Sequence, residues 1–138
     1  MNKKRGVTII EAAIAISILL VGLLAVSEFF PLGLRIISDA QSLTVATNIA
    51  LSKMEELRLL GYGEISAGLI EAKQNVSDNP ASYLYRYQRQ TAVSLVDSDL
   101  APADSDVGLK KITINVYWHS LIGSKEKSIE IYSLFSEY

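Results

Sequence analysis

The hydrophobic rhythm of the chain changes along its length. From Val7 to Val26 the only polar residues are Thr8, Glu11 and Ser17, and the apolar character continues through Phe29 and Phe30. At about 1.5 Å of rise per residue, roughly 20 to 24 such residues cross a hydrocarbon core about 30 Å thick, so this run predicts one membrane-spanning helix. From Leu34 to Leu60 the pattern becomes amphipathic: Ile36, Ala40, Leu43, Thr47, Ala50, Met54 and Leu57 recur at spacings of four and three, while Arg35, Asp39, Gln41, Asn48, Lys53 and Glu56 fall off that stripe. Pro31 and Gly33 predict a kink or brief unwinding between Ser27 and Gly33, with two separate helices as the alternative. Gly61-Tyr62-Gly63 reads as the stop, through a left-handed glycine.

The C-terminal half follows a period of two. Tyr83, Tyr85, Tyr87, Thr91, Val93 and Leu95 alternate with Leu84, Arg86, Gln88, Gln90 and Ser94. Ile112, Ile114, Val116 and Trp118 define a second strand, and Ile129, Ile131, Ser133 and Phe135 a third. The polar segment 120–127, with Gly123, is expected to join the last two as a hairpin. An α+β domain follows, in which the helix to about residue 60 packs on a three-stranded antiparallel sheet within residues 83–138, because each layer needs a partner for its apolar face. The chain divides into a leader (1–6), a membrane helix (7–30) and one small domain (31–138).

Charge orients this plan. Lys3, Lys4 and Arg5 precede the apolar run, whereas Glu28, Arg35 and Asp39 follow it, so the N-terminus is expected on the cytoplasmic side and the domain beyond Phe30 on the periplasmic side. A cleavable secretory signal competes with this reading, since Ala25-Val26-Ser27 is a passable small-x-small site. Against it stand the length of the run and Glu11. A carboxylate at mid-bilayer costs about 2.5–3.5 kcal/mol on insertion scales. A plain anchor, with Glu11 near enough to the interface to be wetted, is a further alternative.

Lys4-Arg5-Gly6, then Val7-Thr8-Ile9-Ile10-Glu11 and a long aliphatic run, resembles the N-terminal cleavage and methylation motif of type IV pilins and type II secretion pseudopilins. The resemblance implies the pilin fold, cleavage by prepilin peptidase between Gly6 and Val7, methylation of the new Val7 amine, and an assembly role for Glu11 as the fifth mature residue. Family members more often begin the mature chain with phenylalanine or methionine. The Ala46–Arg58 helix and the Leu109–Trp118 strand are further similar to PilV-like minor pilins and to the I-type minor pseudopilin. Partners implied are other pilin or pseudopilin subunits, the peptidase, an inner-membrane assembly platform and membrane lipid. The product would be a filament in the periplasm or at the cell surface. The alternative is a single-pass, membrane-anchored binding or adhesion protein that does not polymerise.

The spacing has a physical rationale. Cleavage frees an α-amine with a reference pKa of about 7.7–8.0 at the edge of the apolar core, one helical turn from Glu11. Each charge is costly in hydrocarbon and is relieved by the other, either between neighbouring chains or within one chain.

Other functions find less support. Losing residues 1–6 removes three of the 13 basic residues and none of the 15 acids, leaving a mature net charge of about −5 and no expectation of nucleic-acid binding. Lys110, Lys111, Lys125 and Lys127 read as lysines of sheet edges and a hairpin tip. No catalytic residue is expected: His119 is the single histidine, cysteine is absent, and no phosphate-binding glycine loop occurs. Asp97, Asp99, Asp104 and Asp106 crowd one turn-rich segment, a candidate calcium loop whose spacing is not that of an EF-hand and whose alternative is a solvated acidic loop. Tyr83, Tyr85 and Tyr87 form a candidate stacking face for an adhesive ligand, with packing onto the helix as the commoner use.

Overall fold

The computed structural model describes residues 7–120 and 125–137. The leader 1–6, with the expected cleavage position at Gly6, and Gly123 of the expected hairpin lie outside the described residues. One helix, α1, runs from Ile9 to Arg58, followed by four strands, β1 (Gly68–Asn75), β2 (Tyr87–Leu95), β3 (Leu109–His119) and β4 (Glu126–Ser136). The chain divides into two compact units, one ending at Ser38 and one beginning at Asp39.

Helical assignment continues through Pro31, so the unwinding expected between Ser27 and Gly33 is not found, nor are two separate helices. Proline removes one hydrogen bond and strains one turn, and the long flanking stretches of good helix formers carry the element across it. The stop also differs. α1 ends at Arg58, and Gly61 takes φ −69° and ψ 155°, extended rather than left-handed. Gly61 opens a short 3-10 turn, Tyr62–Glu64, in which the Glu64 carboxylate accepts from the Gly61 amide at 3.0 Å.

The sheet is an antiparallel meander in the order β1-β2-β3-β4. It has four strands, not three. β1 escaped sequence reading because Gly68-Leu-Ile-Glu-Ala-Lys-Gln-Asn75 lacks period-two alternation, and its register against β2 shifts twice, between Leu69 and Glu71 and between Glu71 and Gln74. An edge strand with both faces largely in solvent carries no burial pattern to read. β3 and β4 are the regular pair, in unbroken register from Leu109↔Ser136 to His119↔Glu126. β2 begins at Tyr87, four residues later than expected, because Tyr83–Arg86 forms a 3-10 turn.

The core lies between one face of α1 and one face of the sheet. Ala46, Ile49, Ala50, Met54 and Leu57 join Tyr87, Val93, Ile112, Ile114, Val116 and Trp118, with Ile65 closing one end. The expected stripe holds at Ala50, Met54 and Leu57, but before them the buried positions are Ser42, Ala46 and Ile49, not Ala40 and Leu43. Ala46 and Ala50 are fully buried, and the large ring of Tyr87 lies over this face of the helix, its hydroxyl 3.5 Å from the Ser42 carbonyl. The bulk of the facing sheet side chains leaves room there for small residues.

Candidate functional site

Val7 and Thr8 precede the helix, and Thr8 caps it. Its Oγ1 accepts from the Glu11 amide at 3.3 Å, and its carbonyl accepts from the Ala12 amide at 3.1 Å. Thr8 and Glu11 therefore occupy the first and last places of a capping-box spacing, and Glu11 lies in the first turn, where the helix dipole favours an anion. Both Val7 and Glu11 are exposed. An amine created at Val7 meets the same dipole unfavourably, which makes a nearby carboxylate its natural partner.

Every residue from Val7 to Ile37 is exposed. Ile9, Ile18, Leu24, Phe29 and Phe30 are among the bare apolar side chains, and the helix is long and apolar enough to cross a membrane. Its hydroxyls ask nothing of the surroundings. Ser17 donates to the Ala13 carbonyl at 2.8 Å and Ser27 to the Leu23 carbonyl at 2.9 Å, which satisfies both donors within the helix. Ser27 sits mid-helix.

The remaining candidates are dispersed. The Asp97 Oδ1 accepts from the Asp99 and Ala101 amides, each at 2.9 Å. Asp106 accepts from the Tyr62 hydroxyl and from the Gly108 amide at 3.0 Å. Those bonds, the Tyr62 hydroxyl foremost, hold the Asp106 carboxyl below its usual range, while burial and then Asp106 push the Tyr62 phenol up to about 12. Among the described residues no three acids, histidines or cysteines converge as a metal cage. The expected tyrosine face does not form either: Tyr87 is buried in the core, while Tyr83 and Tyr85 stand exposed on the 3-10 turn. His119 ends β3 in solvent.

Lys110 is a correction. It is buried on the inner face of the central strand β3, not placed on an edge. Its Nζ donates to the Tyr62 and Ile65 carbonyls at 3.0 and 2.8 Å, lies 3.4 Å from the Asp106 carboxylate and stacks 3.9 Å from the Tyr62 ring centroid. The signal was present: Lys110 is two residues before Ile112 and shares its face. A second polar knot lies between β1 and β2, and no local pattern in the sequence signals it. Glu71 takes a bidentate pair of bonds from Arg89, both at 2.8 Å, and further bonds from Thr91 and Gln74, each at 3.0 Å. Burial pulls the Glu71 carboxyl upward, but the donors and the Arg89 charge outweigh it and bring it to about 2.

The family described as the prokaryotic N-terminal methylation motif matches residues 1–27, the segment that holds Gly6, Val7 and Glu11. The match supports the type IV pilin and pseudopilin superfamily and processing by a prepilin peptidase. Comparison with curated proteins finds no match, and comparison with solved structures finds none.

Proposed function

We propose that the chain is a filament subunit, a minor pilin or pseudopilin of a type IV pilus or type II secretion filament. It is inserted with its N-terminus cytoplasmic, cleaved after Gly6, methylated on Val7, and extracted from the membrane through the Val7–Ile37 segment. The observation that carries this reading is the conjunction of a methylation motif with an apolar helical segment that buries nothing on its own chain. Such a segment needs lipid before assembly and other subunits after it, and Glu11 supplies the charge that registers one subunit on the next. The role is mechanical.

Mass analysis of the N-terminus from cells tests it. The expected product lacks residues 1–6 and carries one methyl on Val7, whereas an intact leader or a cut behind Ser27 overturns the proposal.

The Thr8–Glu11 cap favours one rival, an anchor whose Glu11 serves only its own helix. Glutamine also completes a capping box but has no charge, so Glu11→Gln separates the two. Loss of filaments with normal membrane insertion upholds assembly through charge; unchanged filaments uphold the rival's account of Glu11.

A further inference from the structure

The bare stretch of α1 is poor in charge. From Val7 to Ser38 its ionisable side chains are Glu11, Glu28 and Arg35, and the next acid, Asp39, is already held by Lys127 and Ser120 at 2.8 and 2.7 Å. Glu28 and Arg35 are exposed, and neither has an ion pair or a side-chain hydrogen bond among the described residues. Around them stand Phe29, Phe30, Leu34, Ile36 and Ile37, exposed as well. Two opposite charges without partners thus lie in an otherwise apolar surface.

Seven positions separate the two residues, which on a helix is about 20° short of two turns. Both therefore sit on one face, about 10 Å apart along the axis, too far for the pairing that positions three or four apart achieve. In a bilayer this arrangement costs little. With Val7 at the cytoplasmic edge, about 20 residues of helix bring Glu28 to the opposite interface, where water and headgroups serve both charges. In a filament the same surface packs on other helices and water is excluded, so a charge left alone there costs far more than a paired one.

Sliding a second copy along the axis by about two turns sets its Arg35 beside Glu28 of the first. A foreign helix would have to bring the complementary charge to that level by chance, whereas a second copy brings it by construction, so charge complementarity names the occupant. The shift keeps both helices pointing the same way, as insertion in one membrane requires; an antiparallel pair would match the charges but not the membrane. Repeated, it joins each Glu28 to one neighbour and each Arg35 to the next, a heterologous contact that propagates as an open row. Glu28 lies 17 residues beyond Glu11, about 100° round the helix, so this side of α1 is not the side that presents Glu11. We infer that Glu28 of one copy pairs with Arg35 of an adjoining copy shifted by about two helical turns. The contact rests on the filament reading and deepens it by naming a second register pair and the chain that supplies it.

The natural chain has no cysteine, so engineered thiols report the shift without background. Full-length Glu28→Cys/Arg35→Cys, which leaves no lone charge at the contact, is expressed in cells, and sheared filaments, or membranes where none are shed, are oxidised. A disulfide needs Cα atoms within about 7 Å, whereas equivalent residues of copies shifted by two turns lie about 10 Å or more apart. The expected result is a ladder of dimers, trimers and larger species from the double variant and no dimer from either single variant. No ladder, a ladder that stops at the dimer, or dimers from a single variant overturns the contact. The charges are read separately. Glu28→Arg or Arg35→Glu alone is expected to lower the chain in sheared filaments about tenfold or more, and Glu28→Arg/Arg35→Glu to restore it to within about twofold. Reversals without effect, or a double swap as poor as the single ones, overturn the pair. Trp118, buried in the folded unit, reports by fluorescence that the unit is kept. Processing is read on the same samples by N-terminal mass. Processed chains without a ladder sink the contact and leave the filament reading standing. A ladder from chains still bearing residues 1–6 upholds the contact and sinks the filament reading, and unprocessed chains without a ladder sink both.

Discussion

The two stretches of α1 are one element in two environments. From Ile9 to Ile37 every face of the helix is exposed, whereas from Ser42 to Leu57 one face is buried against a sheet and the other faces solvent. The first stretch is more apolar and buries nothing; the second buries serine and alanine and leaves Leu43 and Leu51 about half exposed. Hydrophobicity alone therefore did not choose the face that meets the sheet. Fit against the large side chains of the sheet chose it, with Tyr87 reaching the Ser42 carbonyl, and the bulky residues left outside are available to lipid or to another chain.

Deleting side-chain volume in each region sharpens the contrast most. Ile114 is fully buried, and Ile114→Ala is expected to destabilise the folded unit by about 2–5 kcal/mol, through lost burial and the cavity left behind. Leu20 is 54% exposed, and Leu20→Ala should leave that stability unchanged. Trp118, the single tryptophan, reads only the folded unit, so thermal unfolding of the full chain in detergent followed by its fluorescence checks both variants. Equal shifts would break the comparison.

A smaller effect is expected at Lys110. Lys110→Met keeps much of the apolar stem but strips donors from the Tyr62 and Ile65 carbonyls, a loss of about 1–3 kcal/mol read as a lower thermal midpoint. A lysine that merely decorated an edge would give no shift.

The smallest effect appears only in acid. The Glu71 carboxyl titrates at about 2 when folded, below its ordinary value, so the folded state favours the ionised form. The stability this supplies is fully present above the ordinary carboxylate range and is lost as pH falls from about 4.5 through about 2. Glu71→Gln is expected to flatten the fall in thermal midpoint between pH 5 and pH 2.5. An unchanged slope would remove Glu71 from the account.

Much of this protein was legible in one dimension. The apolar run, Glu11 and the methylation motif are contiguous, so their meaning needed no folded partner, and β3 and β4 announced themselves because β3 alternates buried with half-buried positions and most of β4 alternates half-buried with exposed ones. β1 did not, since a bulged edge strand has no such alternation. The tyrosine run alternates like a strand, but the backbone turns at Tyr83–Arg86, which sends Tyr87 inward and leaves Tyr83 and Tyr85 outside.

The sequence by itself determined the membrane-length helix, the processing motif and the α+β plan, because periodicity and composition act locally along the chain. Only the tertiary structure decided that Ser42 and Ala46 rather than Leu43 meet the sheet, that Lys110 is a buried tie, and that Glu71 is held by Arg89 and Thr91. Those outcomes depend on the distance between elements far apart in the chain, and residue order alone does not encode that distance in any local pattern.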